Sequence, residues 1–180
     1  MLYDYATMTA EGPPSDIIEA RTEQEIAAVA RLLREFKAWC CERYAHRSWQ
    51  IESYLEDNAW EAELASLGER YSPPDGALFL ARRGMRSAGC ASIRRHGPSA
   101  EIKYLYVRPL VRERGLGRRL VDAAVAWAKP RGCRVLRLET GDLHHEALGF
   151  CRALGFREVA PYRDVPPDLA AHLVFLEKTL

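Results

Sequence analysis

At 180 residues the chain is long enough for one domain with a substantial core, and nothing in it requires a second. Its 48% hydrophobic and 28% charged residues are ordinary for a globular protein, and a formal net charge of +1 argues against a general nucleic-acid binder, which needs a large basic excess. Five cysteines (Cys40, Cys41, Cys90, Cys133 and Cys151) form an odd set with no C-x-x-C spacing, which points to free thiols and away from a disulfide framework or a zinc site.

Residues 1–14 carry Asp4 and Glu11 and lack both a basic n-region and an apolar core, so they read as an N-terminal tail and not as a signal peptide. No apolar run approaches the ~20 residues of a membrane span. The expected location is the cytoplasm, with no membrane or nucleic-acid partner, and the domain is expected over 15–180. Ser15 to Ala20 is the first strand. Thr22 and Glu25 form a capping box that opens a helix with Ile26, Val29, Leu32, Leu33, Phe36 and Trp39 at helical spacing. The pattern breaks over 41–47, and a second helix is expected from Trp49 to Leu67, ending at a C′ glycine, Gly68. Its aromatic residues Trp49, Tyr54 and Trp60 are read as packing.

After the turn cluster Tyr71 to Gly76, Ala77–Arg82 and Ala88–Arg95 read as a hairpin joined near Gly84, and Ala100–Val107 as the next strand. A helix is expected from Leu116 to Lys129, stopped by Pro130, with Leu116, Leu120, Ala124 and Trp127 buried. Arg134–Thr140 is a strand and Leu143–Leu154 a helix ended by Gly155. Phe156–Ala160 and His172–Lys178 are the last strands, separated by the loop 161–167. The order β-αα-βββ-α-β-α-ββ implies an α/β fold with one mixed, mostly antiparallel sheet of six to seven strands and helices on both faces.

Between the strand that ends at Val107 and the helix that starts at Leu116 lies Arg112-Glu113-Arg114-Gly115-Leu116-Gly117. Two close glycines let backbone approach a ligand, and a helix mouth offers unpaired N–H groups and a partial positive charge, an arrangement suited to phosphate. Arg108, Arg112, Arg114, Arg118 and Arg119 crowd this turn. A capped surface helix with a solvated arginine face is the alternative reading of the hexapeptide. The third glycine of G-x-G-x-x-G would fall at Leu120, and no Gly-Lys-Ser/Thr follows, so neither a dinucleotide fingerprint nor a P-loop is present.

The hexapeptide resembles motif A of the GNAT N-acetyltransferase superfamily, Gln/Arg-x-x-Gly-x-Gly/Ala, with Arg112, Gly115 and Gly117 in the defining places. Ala147 to Phe156 resembles motif B, Asn-x-x-Ala-x-x-Leu/Phe-Tyr-x-x-Leu-Gly-Phe, at the family's usual separation. The resemblance covers residues 15–180 and implies a GNAT-type fold. It also implies an N-acetyltransferase that carries the acetyl group of acetyl-CoA to a primary amine of a small molecule or peptide by direct attack in a ternary complex, with no metal.

By that resemblance, the backbone of Leu105, Tyr106 and Val107 pairs with the pantetheine arm and polarises the thioester. Arg112, Glu113, Arg114, Gly115, Leu116, Gly117 and Arg118 hold the pyrophosphate. Glu101 stands where histone-type members carry their glutamate base; in its bland reading it is a solvated strand-end residue paired with Lys103. Glu139 is the second choice of base. The motif B tyrosine that protonates the departing thiolate is replaced by Cys151, beside Phe150, and the motif B asparagine by His144. Cys151 is therefore a substitute acid, a bystander to a thiolate that leaves through water, a buried packing thiol, or the acyl carrier of a ping-pong route. The acceptor groove is expected along 43–67 and 161–167. A non-catalytic acyl-CoA-binding module is the alternative, a nucleotide-binding α/β protein a more distant one, and a homodimer is left open.

Overall fold

A computed structural model describes residues 15–55, 57–112 and 115–180. The N-terminal tail assignment therefore falls outside the described residues. One seven-stranded sheet forms the spine, in the order β1-β2-β3-β4-β5-β7-β6. Its strands are β1 (Ser15–Glu19), β2 (Gly76–Arg83), β3 (Arg86–His96), β4 (Ser99–Val107), β5 (Val135–Gly141), β6 (Arg157–Val159) and β7 (Leu173–Thr179). All neighbours are antiparallel except β4 and β5. The helices are α1 (Glu23–Arg43), α2 (Ser48–Tyr54), α3 (Asp57–Ala65), α4 (Leu67–Arg70), α5 (Leu116–Ala128), α6 (His145–Ala153) and α7 (Pro167–Ala170). Among the described residues no helix is long and apolar enough to cross a membrane.

Two cores sandwich the sheet. One joins α5 and α6 to the sheet through Leu120, Val121, Ala124, Leu148 and Cys151 against Ala91, Ile93, Ile102 and Leu136. The other sits under α1 to α4, with Leu32, Leu33, Trp60, Leu67, Tyr104 and Tyr106. Helix α5 buries Leu116, Leu120, Ala124 and Trp127, as its spacing demands, and adds Val121 and Ala128. The capping box forms at α1: Thr22 Oγ1 accepts from the Glu25 N–H, and Glu25 Oε2 accepts from the Thr22 N–H.

Three expectations are corrected. Helix α1 runs on to Arg43, past the apparent break at 41. The segment expected as one helix from Trp49 to Leu67 is three short helices. Gly68 is not a C′ residue but lies inside α4, where a Cβ would stand 3.0 Å from Ile26 Cδ1, so its missing side chain lets α4 approach α1. Of the three aromatic residues on this segment, Trp60 is buried packing, Tyr54 carries a polar task described below, and Trp49 is 40% exposed.

Candidate active site

Strands β4 and β5 pair over only three positions, ending at Glu101 with Arg137. The cause is local. On the other side of β4 the register with β3 jumps from Ile102–Ile93 to Tyr104–Ser92, so Lys103 is an extra residue that bends the strand. The amide this bulge displaces, Tyr104 N–H, donates to the buried Ser92 Oγ at 3.2 Å. Beyond the bulge β4 continues to Val107 while β5 stays with β7 up to Gly141. The two strands part. Arg108 N–H donates to Ala88 O on the β3 side, so by strand alternation Leu105 and Val107 point their N–H groups into the opening.

Next to this opening stands the mouth of α5. Gly115 is its N-cap at φ +75, and a Cβ there would meet nothing within 4 Å; the left-handed backbone, not crowding, demands the glycine. A Cβ on Gly117 would lie 3.1 Å from Phe150 Cζ, so here the constraint is close packing of the turn on α6. The first intrahelical bond runs from Arg119 N–H to Gly115 O, which leaves the amides of Leu116, Gly117 and Arg118 without intrahelical acceptors. Not all the arginines gather at this turn as expected. Arg108 is drawn away into a two-pronged pair with Glu35 at 2.7 and 2.5 Å, and Arg112 Nε caps Val107 O at 2.9 Å while its guanidinium lies over Trp39. Arg118 and Arg119 are exposed.

A cavity of about 80 Å³ opens on the other face of the sheet, under α1 and α2 and beside the parted strands. Glu139 forms its floor with a side chain only 2% exposed, held by Arg163 at 2.8 and 2.5 Å, Tyr54 Oη at 2.6 Å and Lys103 Nζ at 3.7 Å. Burial alone pushes this carboxyl up. The Arg163 and Tyr54 hydrogen bonds and the Lys103 charge outweigh burial and hold it below the usual carboxylate range. His144, at the N-cap of α6, stacks on Trp39 and meets Thr140 Oγ1 through Nδ1 at 3.2 Å. Burial, with Arg43 and Arg112 nearby, pulls its pKa down to about 4, so the ring is neutral at physiological pH. His172 Nδ1 lies 3.0 Å from Asp142, which also accepts from Arg47.

Residues 33–156 match the profile of the Acetyltransferase (GNAT) family. The chain belongs to that family. It is 32% identical over 135 residues to an IAA acetyltransferase of Azospirillum brasilense, covering 73% of this chain and 86% of that protein. Its fold is shared with a GNAT-family acetyltransferase of Staphylococcus aureus (TM-score 0.72, 17% identity, 92% and 99% of the two chains covered). The PaiA N-acetyltransferase of Thermoplasma acidophilum, solved with coenzyme A, gives a TM-score of 0.71 at 19% identity, covering 93% and 99%.

In this acetyltransferase the residues expected from sequence do not all come together. Leu105, Val107, Arg112, Gly115, Leu116, Gly117, Arg118 and Phe150 gather at the opening and the α5 mouth, whereas Tyr106 turns its ring into the core under α1. Glu113 and Arg114 lie outside the described residues. His144 lines the cavity. Neither Glu101 nor Cys151 does. Glu101 lies at the foot of the parted strands, 17% exposed, with Oε2 at 3.6 Å from His96 Nε2 and Oε1 buried without a partner among the described residues. Cys151 is 3% exposed in the core between α6 and the sheet, where burial pushes its thiol up to about 11.

Gln50 lies within the segment 43–67 expected to border the acceptor, without having been singled out; Lys103 and His172 were not expected in the cavity, and Glu139 was the second choice of base. Lys103 had a local signal, two residues beyond Glu101 on one strand. His172 had none, and Gln50 reads as one ordinary polar residue of its segment until α2 is placed.

Proposed function

We propose that this acetyltransferase moves the acetyl group of acetyl-CoA onto a primary amine of a small molecule or peptide by direct attack in a ternary complex. The observation that carries the reading is the parting of β4 from β5, with the α5 mouth on one face and the cavity on the other. Donor and acceptor can then meet through the sheet from opposite sides. The residues present suit the donor: amides of Leu116, Gly117 and Arg118 at the positive end of α5 for a diphosphate, and an unpaired β4 edge for an amide-bearing arm. Acetyl-CoA supplies an acyl group already activated as a thioester.

The amide edge at Leu105 and Val107 orients the donor and offers an N–H to its carbonyl oxygen; one such preorganised donor is worth about 3 kcal/mol of barrier in other enzymes. Glu101, on the cavity face of β4, takes the proton of the amine through a water bound at its unpartnered Oε1. A positioned base contributes about 10²–10⁴-fold. Glu139 is unsuited to that task because Arg163, Tyr54 and Lys103 occupy its oxygens. Cys151, enclosed in the core, takes no part, and the thiol side of the reaction is protonated by solvent.

Calorimetry with acetyl-CoA followed by CoA release over a panel of primary amines tests the proposal. Binding with turnover and intersecting initial-velocity lines is the expected result. No binding at millimolar acetyl-CoA overturns it, parallel lines replace direct attack by a ping-pong route, and binding without turnover makes the chain a CoA-binding module.

A further inference from the structure

A side-chain amide in the cavity has no protein group to answer it. Gln50, on α2, is 3% exposed and lines the cavity, yet neither Oε1 nor Nε2 has a hydrogen-bond partner among the described residues. Buried side-chain amides are nearly always paired, and leaving both ends of one unsatisfied is costly. Of the other polar groups of the lining, Glu139 pairs with Arg163 and Tyr54, His144 with Thr140 and His172 with Asp142, while the Tyr44 hydroxyl, also unpartnered among the described residues, is wedged against Gly141, where a Cβ would collide with it. Gln50 is left for a ligand.

We infer that Gln50 selects the acceptor by pairing with an amide that the acceptor carries next to its amine, which makes the acceptor class α-amino amides with an apolar side chain. This rests on the reading of the cavity as the acceptor site. The chemistry narrows the class in three steps. Oε1 needs a donor and Nε2 an acceptor, side by side; a carboxylate offers only acceptors, an ammonium only donors and a hydroxyl both on a single atom, whereas a primary amide holds N–H and C=O side by side. Phe36, Ile51, Leu55, Tyr104 and Leu173 form an apolar wall for a side chain beside the amide.

The third step is charge. Among the described residues Glu139 is the carboxylate of the lining, and Arg163 and Lys103 already neutralise it. The lining thus holds no spare carboxylate to pair directly with an ammonium, and Glu101, set back from it, reaches the amine only through water, so the acceptor enters as the neutral amine. An α-amino group, with a pKa of about 7.7–8.0, is substantially neutral near pH 7.5, whereas an alkyl amine at about 10.4 is not. A free primary amide presents N–H and C=O side by side, whereas the trans peptide bond of a chain terminus points them apart, so the free amide is the form that matches both ends of Gln50.

The test measures kcat/KM by CoA release from acetyl-CoA with leucinamide, leucine methyl ester and leucylglycylglycine. Leucine methyl ester keeps the side chain and a weakly basic amine but lacks the N–H donor. The wild-type chain is expected to prefer leucinamide to the ester by about tenfold or more, since a buried polar site left unpaired rejects the analogue that lacks the group. In Gln50→Leu the preference falls to within about threefold, and Gln50→Met, closer in shape, repeats the result should the leucine variant fold poorly. A preference for leucinamide over leucylglycylglycine, whose trans peptide bond turns N–H and C=O apart, supports the side-by-side pairing; activity on the tripeptide at or above that on leucinamide overturns it. Equal rates on leucinamide and the ester, a preference that survives both substitutions, or no turnover of any of the three while acetyl-CoA binds overturns the inference alone. Absence of acetyl-CoA binding overturns the reading beneath it.

Discussion

Replacing Arg163 by Met is expected to destabilise the fold by about 2–3 kcal/mol. The Glu139 side chain is 2% exposed and receives two charge-assisted bonds from Arg163, at 2.8 and 2.5 Å. Removing one partner of a buried ion pair costs about 3–5 kcal/mol, because the remaining charge is stranded. A smaller loss is expected here because Tyr54 at 2.6 Å and Lys103 at 3.7 Å stay with Glu139, and the Arg163 side chain is itself 34% exposed, so water can enter in its place. Urea unfolding followed by tryptophan fluorescence reads the loss as a fall in midpoint at constant slope, and a melt reads it as about 4–12 °C.

The double variant Glu139→Gln with Arg163→Met sharpens the test, with an expected coupling of at least about 1.5 kcal/mol. Acid offers a second axis. Since Glu139 is held below its ordinary value in the folded chain, its contribution is present above the unfolded value of about 4.3 and disappears as pH falls through the lower folded one. The penalty of Arg163→Met therefore shrinks in that acid range, where a protonated Glu139 needs no cation. A loss below about 0.5 kcal/mol at neutral pH, or strict additivity in the double variant, refutes the argument that this pair is the buried anchor of the cavity.

Gln50→Leu is expected to raise stability by about 1–3 kcal/mol in the same unfolding assay, because it removes an unsatisfied buried amide, and a loss of stability would show that the amide is paired in the folded chain. The two motif glycines should fail for different reasons. Gly115→Ala costs about 1–2 kcal/mol through its left-handed backbone and is milder as Gly115→Asn, while Gly117→Ala acts through the Phe150 ring and is relieved by Phe150→Leu; melting curves of the five chains check this, and equal behaviour of the two sites contradicts it. Thiol titration of the native chain should show one fast group, the exposed Cys41, with Cys40, Cys90, Cys133 and Cys151 reacting only on unfolding. A second fast thiol would contradict the burial of Cys151.

Element order, the seven-strand architecture and the two motifs were legible in the chain because they rest on local rules. The capping box at Thr22, the apolar stripe of α5, the Pro130 stop and the positive-φ demand at Gly115 are decided within a few neighbouring residues. The same locality explains the errors. Gly68 looks like a helix stop to any rule that counts neighbours, and only the approach of Ile26, forty-two positions earlier, shows why it is glycine. Arg108 looks like one more cation of the glycine turn until α1 brings Glu35 to it.

The mouth of α5 and the class of protein follow from the residues alone, since a glycine turn between strand and helix carries its own backbone amides wherever it folds. The acceptor side exists only once distant elements have met. That cavity is assembled from α1, α2, β4, β5, α6, α7 and β7, so the meaning of Gln50, Lys103, Glu139 and His172 depends on contacts that no spacing encodes. A side chain's charge is written in its letter, but whether that charge is free or already spent on a neighbour is a matter of three-dimensional distance.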